Sequence, residues 1–426
     1  MSQQYPQFSI VLPTKDRPEL VLHCLKLLLE QDFQNYEIII SDNGTIPLTE
    51  TKALCELLSN VKVKYVRPIN RLNMCENWEY AIQFAKGEWV TIISDKFMFT
   101  KHFLTSISKL ENLHSYDVVT WQFEHFECKE VNNERLNGEY HPLMKPYDSI
   151  EYSASEELER RFEFSQPLFY RKYRNRNNYG KIYSGFVRSS VIKKVKENFG
   201  LIFPPCSPDF TSMLGILNEN PKCLDIGISL MLVLNVPEYS YGEQTKKSIE
   251  KCIESSTYYF SSKEKFRESM LFKGVWFGHS ANISADYLRV SQLSQYGLLK
   301  QAEINKVNFL GWALKEAQNI DEPDSCEKEL LLLEINNQLS KFRGSPRLED
   351  DVEACEYEIY HSGLIKSNVP VSNVAASELA SLHWEKGIAA PRKSVFENGL
   401  SIYDAIKYQQ EYVRTSVKML GLKHAF

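Results

Sequence analysis

No segment of this 426-residue chain is apolar for the ~20 residues that a membrane-spanning helix needs. Its best apolar segment, residues 226–236, has the length of a β-strand. Nine cysteines are spread along the chain without one Cys-x-x-Cys pair, which argues against a disulfide framework and against a zinc site. Residues 1–6 do not have the basic and apolar segments of a secretory signal. Together these absences predict a reduced, cytoplasmic protein.

An excess of positive charge is also missing. Lysines and arginines number 50 against 55 aspartates and glutamates, so the formal net charge is −5, which is not typical of a nucleic-acid-binding protein. Residues 160–181 do interleave arginines with aromatic side chains, as single-stranded nucleic-acid sites do. Given the charge of the whole chain, we interpret this segment as a binding site for a diphosphate or an anionic acceptor. A solvated loop with aromatic side chains in the core is the alternative.

Short apolar strands alternate with amphipathic helices through residues 1–100, which predicts an α/β fold with a parallel sheet covered on both faces. The predicted strands are 8–12, 36–41, 61–66 and 89–94, and helices are predicted at about 18–31 and 73–85. Residues 13–17 contain no Gly-x-Gly-x-x-Gly turn, which argues against a nicotinamide dehydrogenase. Ligands bind such sheets at the carboxyl ends of the strands, where the following residues lie: Thr14, Asp16, Asp42 and Asp95.

Four segments of this region resemble, in order and spacing, glycosyltransferase family 2, the inverting enzymes of GT-A fold. They are residues 8–17, 38–45, 70–78 and 85–95. The resemblance extends over about residues 7–240 and implies a Rossmann-like nucleotide-sugar domain of the type that builds bacterial surface polysaccharide, such as lipopolysaccharide or capsule. We therefore expect a GT-A domain at residues 1–240 and a mainly helical region at 241–426, which would serve acceptor binding, oligomerisation or membrane-surface association.

The resemblance also implies roles for individual residues. Asp42 matches the family acid that contacts the nucleobase or ribose, and Asp95 ends the fourth matching segment. Further residues of the matching segments are expected to face the nucleotide, namely Thr14, Asp16, Arg17 and Arg71. Each of the polar side chains in these loops could instead cap a turn or a helix.

The chain departs from the family after Asp95. The family usually places a second carboxylate there, which contacts a divalent metal bridging the diphosphate, whereas this chain has Lys96. Mg²⁺ and Mn²⁺ prefer oxygen ligands, so this loop argues against a metal. One hypothesis is that Lys96, helped by arginines, stabilises the charge that develops on the diphosphate. The other, given equal weight, is that Asp95 holds the metal with a carboxylate from elsewhere.

A candidate general base lies in residues 203–214, where prolines at 204, 205 and 208 precede an apolar helical pattern. Family 2 enzymes carry their base at such a place, and the matching acid is Asp209. An inverting transfer needs a carboxylate there because an alcohol is a poor nucleophile until its proton is removed. The alternative is that Asp209 only complements the helix dipole, an effect of about 0.3–1 kcal/mol.

Helical spacing continues in residues 262–277, 291–318, 326–342 and about 401–426. The last of these is amphipathic and basic, with Lys407, Arg414, Lys418, Lys423 and His424. Such a helix can lie on an anionic membrane surface, but packing against its own protein or a second copy is favoured because amphipathic helices are common.

These observations favour an inverting transferase that moves a sugar from a nucleotide-diphosphate sugar to a hydroxyl of a glycan or lipid-linked glycan. A UDP-sugar is the expected donor. The protein could act at the inner face of the membrane. The alternative function is a catalytically inactive nucleotide-sugar-binding or scaffold protein of a glycan-assembly complex. Asp209 separates the two functions, because an inactive binding protein has no need of a base.

Overall fold

The computed structural model describes residues 5–140, 148–164, 178–236, 248–257, 259–260, 262–320, 326–342 and 399–420. Eleven strands of these residues form one sheet. The strands are β1 (Phe8–Thr14), β2 (Tyr36–Asp42), β3 (Val63–Val66), β4 (Trp89–Ile92), β5 (Phe97–Phe99), β6 (Val118–Val131), β7 (Leu136–Tyr140), β8 (Ile150–Tyr152), β9 (Gly185–Arg188), β10 (Cys223–Asn235) and β11 (Leu400–Ser401).

Helices cover this sheet and extend beyond it. Those of the first 220 residues are α1 (Pro18–Leu29), α2 (Lys52–Leu58), α3 (Met74–Ile82), α4 (Phe103–Ser108), α5 (Ala154–Glu163), α6 (Ser189–Phe199) and α7 (Pro208–Asn218). Those that follow are α8 (Ile249–Thr257), α9 (Lys263–Glu268), α10 (His279–Leu293), α11 (Lys306–Gln318), α12 (Cys326–Ser340) and α13 (Ile402–Leu420). The predicted combination of an α/β sheet with a helical C-terminal region is therefore confirmed.

The predicted parallel sheet consists of β4, β1, β2 and β3, in that spatial order. All seven residues of β1 are buried, as expected for a strand covered on both faces. Next to β4 lies β9, which runs antiparallel to it. Because of that direction, the residues that precede β9 lie at the same edge of the sheet as the carboxyl ends of β1, β2 and β4.

Beyond β9, the sheet continues through β6 and β7 to the short strand β11. The long strand β6 also pairs in parallel with β10, which in turn pairs antiparallel with β5 and β8. The strand β5 follows Asp95 and Lys96 in the chain. Its pairing with β10 therefore fixes the segment directly after Asp95 against the sheet.

The helical region differs from the sequence-based prediction in its breaks. The segment at 291–318, which has helical spacing in the sequence, holds the end of α10 and all of α11, with a turn between them. Gly297 in that turn has φ +102°, and a Cβ there would lie 2.5 Å from Asn218 Nδ2. Asn305 then caps α11 by accepting from two of its backbone N–H groups. The residues predicted as a helix at 262–277 are helical only over α9.

The helices after residue 248 share a hydrophobic core with the α/β part of the chain. Tyr287 of α10 stacks on Phe162 of α5, with ring centroids 5.0 Å apart. The Trp312 indole of α11 donates to the carbonyl of Phe164 at 2.8 Å. The domain boundary predicted at residue 240 lies in 237–247, outside the described residues.

The C-terminal helix α13 packs against its own chain, as the sequence analysis favoured. Its buried residues join the core around the sheet, and its basic residues Lys407, Arg414 and Lys418 are exposed. Gln409 is fully buried and donates to Ser229 Oγ at 2.6 Å and to Glu124 Oε2 at 3.2 Å. Polar contacts therefore fix the register of this helix on the sheet. Lys423 and His424 lie outside the described residues.

Within the described ranges, the structure contains no helix with the length and hydropathy of a bilayer span.

Replacing Gln409 by leucine should lower the free energy of unfolding by about 1–3 kcal/mol, because Ser229 and Glu124 would lose a buried hydrogen-bond donor. Denaturant unfolding followed by tryptophan fluorescence measures this effect. Lys407→Ala is the matched control, since Lys407 is an exposed residue of the same helix. Equal stability of the two variants would show that these polar contacts do not hold α13 in place.

Candidate active site

Asp42, at the end of β2, is buried and fully engaged with its own protein. Its Oδ2 accepts from Arg67 Nη1 and from the Tyr65 hydroxyl, each at 2.7 Å, and its Oδ1 accepts from the Gly44 backbone at 2.9 Å. Oδ2 also accepts from the backbone of Leu48 at 2.9 Å. This carboxylate therefore fixes the loop that follows β2, and its contact with a nucleotide stays a prediction.

The loops after β1 and β2 are joined around Thr45. Asp16 accepts from the Thr45 backbone, and Arg71 Nη2 donates to Thr45 Oγ1 at 2.9 Å. Asp16 has φ +54°, a left-handed conformation that aspartate adopts more readily than most residues. A Cβ at Gly44 would lie 2.9 Å from Asp42 Oδ1 and 3.1 Å from the Asp16 nitrogen. The close approach of the two loops therefore requires glycine, and it brings three predicted nucleotide residues together.

Asp95 forms a second cluster at the same edge with Thr14 and Arg17. Its side chain has no exposed surface, and its Oδ2 accepts from Thr14 Oγ1 at 2.7 Å and lies 3.1 Å from Arg17 Nε. Its Oδ1 accepts from Ser94 Oγ at 3.3 Å. The neighbouring Lys96 is half-buried, and its carbonyl accepts from the Leu234 backbone of β10 at 2.9 Å. The structure thus joins Thr14, Arg17 and Asp95 through direct contacts.

The carboxylate of Asp95 is already engaged by groups of its own protein. Both carboxylate oxygens already accept hydrogen bonds, and the guanidinium of Arg17 stands where positive charge would repel a metal. Across the ranges that the structure describes, no three or more His, Cys, Asp and Glu side chains gather as a metal-binding group. Mg²⁺ is usually held by one or two carboxylates together with waters and substrate phosphates, so the metal dependence of this site stays a prediction.

Asp209 lies in the first turn of α7, where its negative charge complements the helix dipole. The carboxyl group is 24% exposed, and its Oδ2 lies 2.8 Å from the Nζ of Lys181, whose side chain is only 3% exposed. The ammonium also lies 3.7 Å from the centroid of the Phe210 ring. Burial lowers the pKa of Lys181, while the charge of Asp209 raises it. The candidate base is therefore held by a buried cation.

The loop that leads into α7 is fixed from the helical region. Asp286 of α10 is buried, and its carboxylate accepts from the backbone N–H groups of Cys206 at 2.8 Å and Ser207 at 2.9 Å. Arg289 Nη1 pairs with the same carboxylate at 2.7 Å. Burial raises the pKa of Asp286, and Arg289 opposes that shift. Asp286, which is distant in the sequence, thus fixes the loop from which α7 and its Asp209 begin.

A second carboxylate fixes the other side of this loop. Glu79 of α3 accepts from the backbone N–H groups of Ile202 at 2.9 Å and Phe203 at 3.2 Å. The two residues between the anchored pairs, 204 and 205, are prolines and have no N–H to satisfy. The loop is therefore bonded at every backbone donor on both sides of its prolines.

Tyr183 lies beside the end of β4, in the segment that precedes β9. It bridges to Ile92 at the end of β4, and its ring stacks on Trp78 with centroids 5.2 Å apart. Burial raises the pKa of its hydroxyl, Ser94 lowers it by hydrogen bonding, and the charges of Asp209, Asp95 and Arg17 also act on this group. The segment before β9 thus connects the end of β4, which leads to Asp95, with Asp209 through Lys181, so both acids lie at the same edge of the sheet.

Comparisons with known proteins identify the family of the N-terminal part of the chain. Residues 9–189 match the family model described as "Glycosyl transferase family 2". This part of the chain is a family 2 glycosyltransferase domain, and its α/β architecture is of the GT-A type. The family identification based on the sequence is therefore confirmed.

Among curated proteins, a putative colanic acid biosynthesis glycosyl transferase, WcaA of Escherichia coli K12, is 30% identical over 90 residues, which are 21% of this chain and 32% of the relative. Glycosyltransferase GlyG of Streptococcus pneumoniae is 21% identical over 126 residues, 29% of this chain and 41% of that protein. The matched segments thus span about a third to two-fifths of these relatives.

Among solved structures, S. aureus TarS 1-349 in complex with UDP-GlcNAc gives a TM-score of 0.42 at 13% identity, covering 86% of this chain and 95% of that one.

Several residues of the site were not singled out from the sequence. Arg67 directly follows β3, so its place at the binding edge was available from the strand pattern. Lys181 belongs to the basic and aromatic segment at 160–181, of which residues 165–177 lie outside the described residues. No sequence pattern indicates the role of Asp286, because its partners on the loop are 79 and 80 residues away in the chain.

Replacing Asp286 by alanine should lower the free energy of unfolding by about 2–4 kcal/mol, since two backbone N–H groups and a guanidinium lose their buried acceptor. Denaturant unfolding gives the value. Asp404→Ala serves as the control, because Asp404 is an exposed helical aspartate with a lysine 3.9 Å away. If both variants unfold at the same denaturant concentration as the wild type, the loop does not depend on Asp286.

Proposed function

We propose that the protein is an inverting glycosyltransferase that moves a sugar from a nucleoside diphosphate sugar to a hydroxyl of a glycan or lipid-linked glycan. The single observation that carries the proposal is the course of residues 181–183. This segment pairs with the end of β4, which leads into Asp95 and its partner Arg17, and its Lys181 contacts Asp209. A donor held over the first pair would present its sugar toward the second acid. The family 2 domain at residues 9–189 supports the same reaction class.

In the proposed reaction, Asp209 takes the proton of the acceptor hydroxyl. The hydroxyl oxygen then attacks the anomeric carbon from the face opposite the diphosphate. The bond between that carbon and the diphosphate oxygen breaks, and its electron pair leaves with the nucleoside diphosphate. Attack from the opposite face inverts the anomeric configuration, and no covalent sugar–enzyme intermediate is required.

The leaving diphosphate needs positive charge, and we assign this role to Arg17 and Lys96. Arg17 already lies at the end of β1, beside Asp95, and Lys96 is the next residue after Asp95. A guanidinium and an ammonium can bind phosphate oxygens directly. In this proposal, the two basic side chains take the place of a metal at the diphosphate.

The named relatives support a setting in polysaccharide assembly. WcaA is described as a colanic acid biosynthesis glycosyl transferase, and TarS has been solved with UDP-GlcNAc. On that basis we propose a UDP-sugar as the donor to test first and a surface polysaccharide as the product. An inactive scaffold protein would bind a nucleotide sugar without turning it over.

Turnover should persist in EDTA when the protein is tested with UDP-, GDP-, dTDP- and CMP-sugars, each with Mn²⁺ and with EDTA. Lys96→Ala should lower kcat by about 10²–10³-fold, because one charge on the leaving group is lost. Lys101→Ala is the control, since Lys101 is exposed and lies five residues further on. Complete loss of turnover in EDTA would overturn the metal-free form of the proposal. Absence of turnover with every donor would favour the scaffold protein.

Asp209→Asn should lower kcat by about 10²–10⁴-fold, because asparagine cannot accept the proton. The dissociation constant for UDP, measured by calorimetry, should stay within about twofold, because the nucleotide loops do not change. Asp404→Asn gives the matched control on an exposed helix. Wild-type turnover by Asp209→Asn would place the base elsewhere.

A further inference from the structure

Lys181 is an unusual lysine because its charged end is buried. Lysine is almost never fully buried without a partner, since removing an ammonium from water is costly. Here the side chain is 3% exposed, and its Nζ contacts Asp209 Oδ2 at 2.8 Å and lies over the ring of Phe210. The cost of burial is offset by one carboxylate, and that carboxylate is the candidate base.

Hydrogen bonds hold the backbone around Lys181 in place, and this defines the position from which its side chain extends. The Lys181 N–H donates to the carbonyl of Asn178 at 3.0 Å. Asn178 in turn donates from Nδ2 to the carbonyl of Trp121 on β6 at 2.8 Å. The N–H of Gly180 donates to the Tyr152 hydroxyl at 2.9 Å. The turn carrying the lysine is therefore bonded to the sheet on two sides.

A second cation, Arg161, acts electrostatically on Lys181. The buried Arg161 of α5 carries a charge that disfavours the ammonium form of Lys181. The guanidinium is itself engaged by Glu157 Oε1 at 2.7 Å. The groups that face Lys181 are thus Asp209 and Phe210 on α7 and the Arg161–Glu157 pair on α5. Of these, Asp209 is the direct partner of its ammonium.

We propose that Lys181 is the positioning residue of the base: its ammonium holds Oδ2 of Asp209 and turns Oδ1 toward the acceptor hydroxyl. In the part of the chain that the structure describes, no donor bonds Oδ1. The proton of the acceptor moves to Oδ1, while Lys181 keeps its three protons and exchanges none. This inference rests on the proposed role of Asp209.

The test compares Lys181→Met, Lys181→Arg and Asp209→Asn in the full-length protein, using the donor and acceptor found in the panel above. Lys181→Met should lower kcat by about 10–100-fold, with the acceptor KM and the UDP dissociation constant within about twofold of wild type. Lys181→Arg should recover most of that loss at pH 7, because a guanidinium can still bind Oδ2. Lys193→Met, at a lysine that is 78% exposed, is the control.

The pH profile distinguishes positioning from a structural role. The ion pair needs the ammonium form of Lys181, and burial lowers the pKa of this group, so the ion pair is lost at a lower pH than it would be for an exposed lysine. The wild-type kcat should therefore fall at alkaline pH. Arginine does not deprotonate in proteins, so Lys181→Arg should move this fall to higher pH. Circular dichroism of each variant verifies folding, and Lys181→Arg carries the test if the methionine variant does not fold.

Each result bears on one of the two proposals. Wild-type kcat in Lys181→Met, or an unmoved alkaline fall in Lys181→Arg, overturns the positioning role while leaving Asp209 as the base. Wild-type kcat in Asp209→Asn, or no turnover by the wild type, overturns the base assignment and the inference that rests on it. Loss in both Asp209→Asn and Lys181→Met, with the shifted profile in Lys181→Arg, supports both.

Discussion

The pairing of carboxylates with cations from other segments is the constraint on which this site depends. A carboxylate placed at a buried sheet edge must be compensated, because the desolvation cost of a lone charge exceeds what packing can supply. Each acid of the site meets this requirement with one basic residue. The pairs are Asp42–Arg67, Asp95–Arg17, Asp209–Lys181 and Asp286–Arg289.

These pairs give the site two electrostatic parts. At the β1–β4 edge, Arg17 is bound to an acid but still 25% exposed, so a diphosphate could share it. At α7, Lys181 is inaccessible and serves only the protein's own carboxylate. A cation at the surface suits the recognition of a ligand, whereas a cation in the interior suits the orientation of a neighbour. The same charge therefore supports different tasks according to its exposure.

The sequence was sufficient to predict β1, β2 and β4 and the acids at their ends, because buried parallel strands have a local signature of continuous apolar residues. It also predicted that a helix begins beside Asp209, since prolines before a helix are visible in the chain itself. It could not predict Asp286, whose role arises from contacts that bring α10 onto the loop before α7. The helical spacing at 291–318 likewise does not reveal the break between α10 and α11, because the need for glycine at 297 comes from Asn218, which is distant in the sequence.

The family model ends at residue 189, yet the sheet does not. The last described strand, β11, pairs with β7 and covers an edge that would otherwise present unpaired backbone groups. The next helix, α13, then places Gln409 against the buried Glu124. The recognisable domain is therefore smaller than the unit that folds. A chain that ends before residue 399 would leave the edge of β7 with unpaired backbone groups. Fragments that end where the family model ends would therefore be expected to aggregate.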